Sequence, residues 1–175
     1  MSVITVQMVF RKKHIRSFVE SLSIHKHAMK GVIEFEPRDK LNNIIRSYLT
    51  TPPENSRPLF GKEVINILVP RSWRQGRYHY NSYLPKSAWS DLEAEFEDLF
   101  FMMWYNIEKN GVVAPGKRKY AREKFLRLCG ITEDIMNEDS FRKAFDRFLE
   151  KKAAKILDFL ENDSITLITM YKSVV

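Results

Sequence analysis

The run KSAWSDLEAEFEDLFFMMWYNIEKNG, Lys86 to Gly111, restricts the fold more than any other part of the sequence. Trp89, Leu92, Phe96, Leu99, Phe100, Met103 and Ile107 recur at intervals of three and four, which predicts a helix over 86–110 with one continuous apolar stripe. Pro85 ahead of it and Gly111 behind it suit the two ends. Glu93, Glu95, Glu97 and Asp98 make its first half acidic, which favours the positive end of the helix dipole. The second half, LFFMMWYNI, is apolar nearly all round. That end must be covered on more than one side, by this chain or by a second copy.

The segments before it alternate between two periods. ITVQMVF places Ile4, Val6, Met8 and Phe10 on one face of a half-buried strand. RKKHIRSFVESL has Ile15, Phe18, Val19 and Leu22 at helical spacing. SIHKHAMKGVIEFEP is a second β region, with a turn expected near Lys30-Gly31 and an end at Pro37. In DKLNNIIRSYL, positions 41, 44, 45, 48 and 49 form the stripe of an amphipathic helix, with Asp39 as its expected cap. Pro52, Pro53 and Pro58 make a loop, and EVINILVP follows as a buried strand.

After GVVAPG come two more helices. KRKYAREKFLRLCG is expected to stop at Gly130, and FRKAFDRFLEKKAAKILDFL to begin at a cap of Asp139 or Ser140. Phe141, Phe145, Phe148, Leu149, Ile156 and Leu160 are its inner stripe. SITLITMYK is β-branched and could add a late strand to the sheet begun by residues 4–10. The expected class is α+β: a small N-terminal sheet with helices, then a predominantly helical C-terminal half containing a helix-turn-helix-like pair. The expected division is 1–111, an α+β core with the long helix, and 112–175, a helical hairpin with a basic face and a terminal strand.

A chain of 175 residues buries roughly two thirds of its unfolded surface and folds without disulfides. Its single cysteine, Cys129, sits at an apolar helix end and reads as a small core residue. A disulfide-independent chain with no signal-like start and no membrane-length apolar run is expected in the cytoplasm. Six glycines without clustering give no phosphate cradle, and one cysteine gives no cysteine-based zinc site. No serine stands in a nucleophile-elbow context. No catalytic residue, cofactor or metal is therefore assigned.

The net charge of +7 favours a polyanionic partner. Residues 111–160 hold twelve of the basic side chains against eight acids. Lys117, Arg118, Lys119 and Arg122 precede the turn of the helical pair, and Arg142, Lys143, Arg147, Lys151 and Lys155 follow it. Lys143, Arg147 and Lys151 recur every four residues, a ridge suited to phosphate contact, and arginine can also read guanine. The competing reading is a solvated face on which Asp146, Glu150 and Asp158 partner the bases.

A second basic stretch is VPRSWRQGRYHYNSYLP, which carries no acid. Arg71, Arg74 and Arg77 interleave with Trp73, Tyr78 and Tyr80, so guanidinium groups could hold phosphates while rings stack on unpaired bases. The same rings could instead fill the core, with the arginines paired to Glu93, Glu95 or Glu97. The expected function is non-catalytic nucleic-acid binding, DNA before RNA, without membrane contact. The alternative is an assembly protein in which LFFMMWYN forms a homodimer core.

One further pattern is His25-Lys26-His27 on a presumed strand, with Tyr83-Leu84-Pro85-Lys86 downstream. It resembles the HUH family of single-strand nicking enzymes. The resemblance implies a metal held by His25 and His27 and a tyrosine nucleophile, Tyr80 or Tyr83. Lys26 departs from the family pattern, whose middle residue is hydrophobic.

Overall fold

A computed structural model describes residues 3–23, 31–36, 40–61, 63–70, 82–109 and 116–160. The elements run β1 (Val3–Val9), α1 (Lys13–Ser21), β2 (Val32–Glu34), α2 (Lys40–Ser47), β3 (Val64–Pro70), a 3-10 turn at Lys86–Ala88, α3 (Trp89–Lys109), α4 (Arg118–Leu128) and α5 (Glu138–Leu160). The class is α+β. By contact the chain gathers into two compact units, Met1–Lys12 with Leu22–Ala94, and Lys13–Ser21 with Glu95–Val175. The units part inside α3, and α1 belongs with the later helices. Residues 111–115 of the GVVAPG break and all of SITLITMYK lie outside the described residues.

In the first unit β3 is the central strand of three, in the order β1-β3-β2. β1 runs antiparallel to β3 with Ile4 opposite Val69, Val6 opposite Ile67 and Met8 opposite Ile65. β2 runs parallel to β3 and sets Ile33 beside Ile67. Period-2 alternation thus puts every one of these apolar side chains on a single face, and all are buried. The parallel pairing needs a crossover, which α2 supplies. On β1, the Gln7 amide donates to Asn66 Oδ1 at 2.8 Å and accepts the Leu59 N–H at 2.7 Å. This ties the proline-rich loop to the strand and leaves Phe60 in solvent, 89% exposed.

Glu93, buried at 5% exposure, accepts the Lys12 N–H at 2.8 Å.

The second unit is a helical cluster centred on α3. Phe100 meets Phe18 of α1, Phe125 of α4 and Phe141 of α5 at ring-centroid distances of 5.2, 5.3 and 5.7 Å. Phe101 reaches Phe145 and Phe148 at 6.1 and 5.4 Å, and Trp104 reaches Phe125 and Phe141 at 5.5 and 5.8 Å. The all-round apolar end of α3 is therefore covered by this chain's own helices. Phe100, Phe101, Met102, Met103, Trp104, Asn106 and Ile107 are all buried. No described helix is long and apolar enough to cross a membrane.

The ends of α4 and α5 follow local chemistry. The Gly130 N–H donates to Arg127 O at 3.0 Å and the Ile131 N–H to Leu126 O at 2.9 Å. With Gly130 at φ 68° this is a Schellman stop, and its usual apolar partners, Leu126 and Ile131, are both buried. A methyl at Gly130 would meet only Ser17 O, at 3.8 Å, so strain there is dihedral rather than steric. Gly130→Ala is expected to lower unfolding free energy by about 1–2 kcal/mol in urea denaturation. An unchanged midpoint would contradict this account of the stop.

α5 begins at Glu138, and its cap is Asn137, whose Oδ1 accepts the Ser140 N–H at 2.9 Å. This corrects the expected cap of Asp139 or Ser140. The Phe141 N–H already reaches Asn137 O at 3.0 Å, so both of those residues lie within the first turn.

Candidate nucleic-acid interface

The basic residues of α4 divide into two groups once the inward stripe of Ala121, Phe125 and Leu126 is fixed. Lys117, Arg118 and Lys119 stand at the exposed start of the helix. Arg122 does not join them. Its side chain is only 11% exposed, lies over the rings of Trp104 and Phe141 at 5.9 and 5.8 Å, and donates to Glu138 Oε1 at 3.0 Å. Its Nε has no hydrogen-bond partner among the described residues. Arg122 is a clasp between α4 and the start of α5, and phosphate contact is not the role its surroundings suit.

The other pairs are looser. Lys119 Nζ lies 3.7 Å from Glu138, and Arg142 lies 3.7 Å from Asp139. Arg118 bonds Glu108 at the end of α3, and that hydrogen bond, with attraction from Glu108 and Asp146, raises its pKa above the ordinary arginine value. Exposed pairs of the Lys119 and Arg142 kind contribute about 0–1 kcal/mol, so a phosphate can compete for these cations. The partners are chiefly Glu108, Glu138 and Asp139, of which the solvated-face reading named none; its Asp146 acts on Arg118.

On α5 the stripe Phe141, Phe145 and Phe148 faces inward, and Arg142, Lys143, Arg147 and Lys151 are exposed. Lys143, Arg147 and Lys151 form one row along the helix, as the spacing predicts. Asp139, four residues before Lys143, stands at the head of the same row, and Asp146 and Glu150 occupy the neighbouring row; all three are exposed. The ridge is thus flanked by three carboxylates. On α4 and its cap, Lys117, Arg118, Lys119, Lys124 and Arg127 accompany one acid, Glu123, while Arg118 and Lys119 draw on Glu108 and Glu138 of the neighbouring helices. The side chain of Lys155 lies outside the described residues.

Two residues of α4 that the sequence reading passed over belong to this surface. Tyr120 is 66% exposed, and Arg127 is exposed seven residues on, on the same side of the helix. The signal was available: Tyr120 lies more than a quarter turn from the Ala121–Phe125 stripe.

Arg71, Trp73, Arg74, Arg77, Tyr78 and Tyr80 lie outside the described residues, as do His25 and His27. The ends of the basic aromatic stretch are described. At one end Arg46 donates through Nε to Pro70 O at 3.2 Å, with a second bond from its Nη2. Burial lowers the pKa of this guanidinium below the usual arginine value. At the other end Tyr83 exchanges backbone bonds with Thr50, of 2.8 and 3.1 Å. Pro70 and Tyr83 are thus both bonded to residues in or just after α2, Arg46 and Thr50. Tyr83 itself is half-buried.

Fold and surface together define an α+β chain whose helical unit presents a predominantly basic hairpin to solvent. Compared with protein-family models, with curated proteins and with solved structures, the chain matches none.

Proposed function

We propose that the protein binds nucleic acid without catalysing a reaction, gripping phosphates with the α4–α5 hairpin, and that DNA is the preferred polymer. The observation that carries this reading is the solvent exposure of Lys117, Lys119, Arg127, Arg142, Lys143, Arg147 and Lys151 around a hairpin whose aromatic residues are otherwise mostly turned inward. Apolar burial orients the hairpin and leaves these cations at its surface, Lys119 and Arg142 in loose pairs that a phosphate would compete with. Arg71, Arg74 and Arg77, with Trp73, Tyr78 and Tyr80, would add contacts from a segment tethered at Pro70 and Tyr83.

Anisotropy of labelled DNA and RNA across a salt series tests it. Affinity should fall on a log–log plot by about 0.9 per neutralised phosphate on duplex DNA. Replacing Lys143, Arg147 and Lys151 together with alanine should flatten that slope by roughly one unit per lost contact. No binding at low salt would end the proposal. A second reading, assembly through protein contact, draws on Phe60, whose ring is 89% exposed on a tethered loop. Phe60→Ser would then abolish any self-association seen in sedimentation, and would leave nucleic-acid affinity alone.

A further inference from the structure

We infer that Tyr120 is a base-stacking position and that the hairpin therefore takes unpaired nucleic acid in preference to duplex; this rests on the nucleic-acid reading above. Among the described aromatic residues of α4 and α5, Phe125, Phe141, Phe145 and Phe148 are at most 6% exposed, whereas Tyr120 is 66% exposed. No ring contact, cation–π contact or hydrogen bond from its side chain is found among the described residues.

Its neighbours supply the complementary charge. Lys117 lies three residues before Tyr120, Lys124 four after and Arg127 seven after, so all share its side of the helix. At 1.5 Å per residue, Lys117 and Arg127 stand about 15 Å apart along the axis with the ring between them. Lys119 lies at the same end of the helix. Cations on either side of a bare aromatic ring match a strand whose phosphates run along the helix while one base turns down onto the ring. In a duplex that base face is already covered by its neighbours in the stack, so the ring can be used only by an unpaired base.

A protein partner would also take an exposed tyrosine as an anchor. The surroundings favour nucleic acid, because the nearest exposed apolar side chain on α4, Leu128, is eight residues away and only 36% exposed. A protein-binding patch centred on Tyr120 would lack an apolar core.

The test compares a mixed-sequence single strand with the duplex it forms with its complement, at matched salt, by anisotropy. The wild-type protein should bind the single strand more tightly. Tyr120→Ala should weaken single-strand binding roughly ten-fold, the size expected for one stacked base, and leave duplex affinity unchanged. Tyr120→Phe should retain wild-type affinity, since the ring and not the hydroxyl does the stacking. Unchanged circular dichroism and melting in both variants would confirm that the exposed site leaves the fold intact. Three results would overturn the inference while the nucleic-acid reading stands: tighter duplex binding, equal losses on both ligands, or no loss in Tyr120→Ala. A loss of self-association in Tyr120→Ala, with single-strand affinity intact, would assign the ring to a protein contact. Absence of binding to either ligand would defeat both the inference and the reading beneath it.

Discussion

Phe100→Ala is expected to cost about 3–5 kcal/mol of unfolding free energy, comparable to the whole stability of a marginal domain. Phe100 has no solvent exposure, and its ring meets those of His14, Phe18, Phe101, Phe125 and Phe141. Those residues come from α1, α3, α4 and α5, so the cavity left by truncation would open at the point where all four helices converge. Neighbouring rings are stiff and themselves buried, which limits collapse into the space. Guanidinium denaturation followed by circular dichroism measures the loss. Phe60→Ala, on the exposed loop, should stay within about 0.5 kcal/mol of wild type and serves as the control. A Phe100→Ala protein within 1 kcal/mol of wild type would mean that the helices are not held at this residue.

Glu138→Ala should be the more damaging half of an asymmetric pair. It removes the carboxylate from Arg122, leaving a guanidinium over two rings with little access to water, at a cost of about 1–3 kcal/mol. Arg122→Met removes the charge and keeps much of the side-chain volume, so it should cost less. In the double variant the two effects should fail to add by about 0.5–3 kcal/mol, the sign of direct contact. Additive effects would show that the 3.0 Å bond contributes nothing to the hairpin. Nucleic-acid affinity gives the second readout: Arg122→Met should leave it unchanged, whereas a phosphate-binding arginine would lower it.

Elements with a strong period were legible in the sequence. Seven apolar positions at helical spacing located α3 to within a few residues of its ends, and Ile4, Val6, Met8 and Phe10 located β1. Gly130 marked the end of α4 because a left-handed residue is needed there. What the sequence withheld was pairing across distance. Ile33 could be read as a strand residue, but nothing local says that its strand lies parallel to β3. The stripe of α1 likewise announces burial without naming Phe100 as its cover.

The candidate interface has the same limit. Lys143, Arg147 and Lys151 emerged as an exposed row because helical spacing fixes their side. Arg122 was grouped with them by charge alone, although its position beside Ala121 and three residues before Phe125 puts it at the margin of the buried stripe. Its partner Glu138 is sixteen residues on, across a turn, and no periodicity connects them. Tyr120 was missed for the converse reason. A tyrosine is expected to be at least half inside, and only the placement of its neighbours turns it out.

The membership of α1 in the later unit also orders events during synthesis. Ile15, Phe18 and Val19 leave the ribosome more than eighty residues before Phe100, the ring that covers Phe18, exists. At roughly 5–20 residues per second that interval is on the order of ten seconds, long compared with the time in which helices and small sheets form. Phe18 must therefore wait, uncovered, for the long helix that carries Phe100. Nascent chains arrested before Phe100 should accordingly be clients of a chaperone at residues 13–21, and chains released past Leu160 should not.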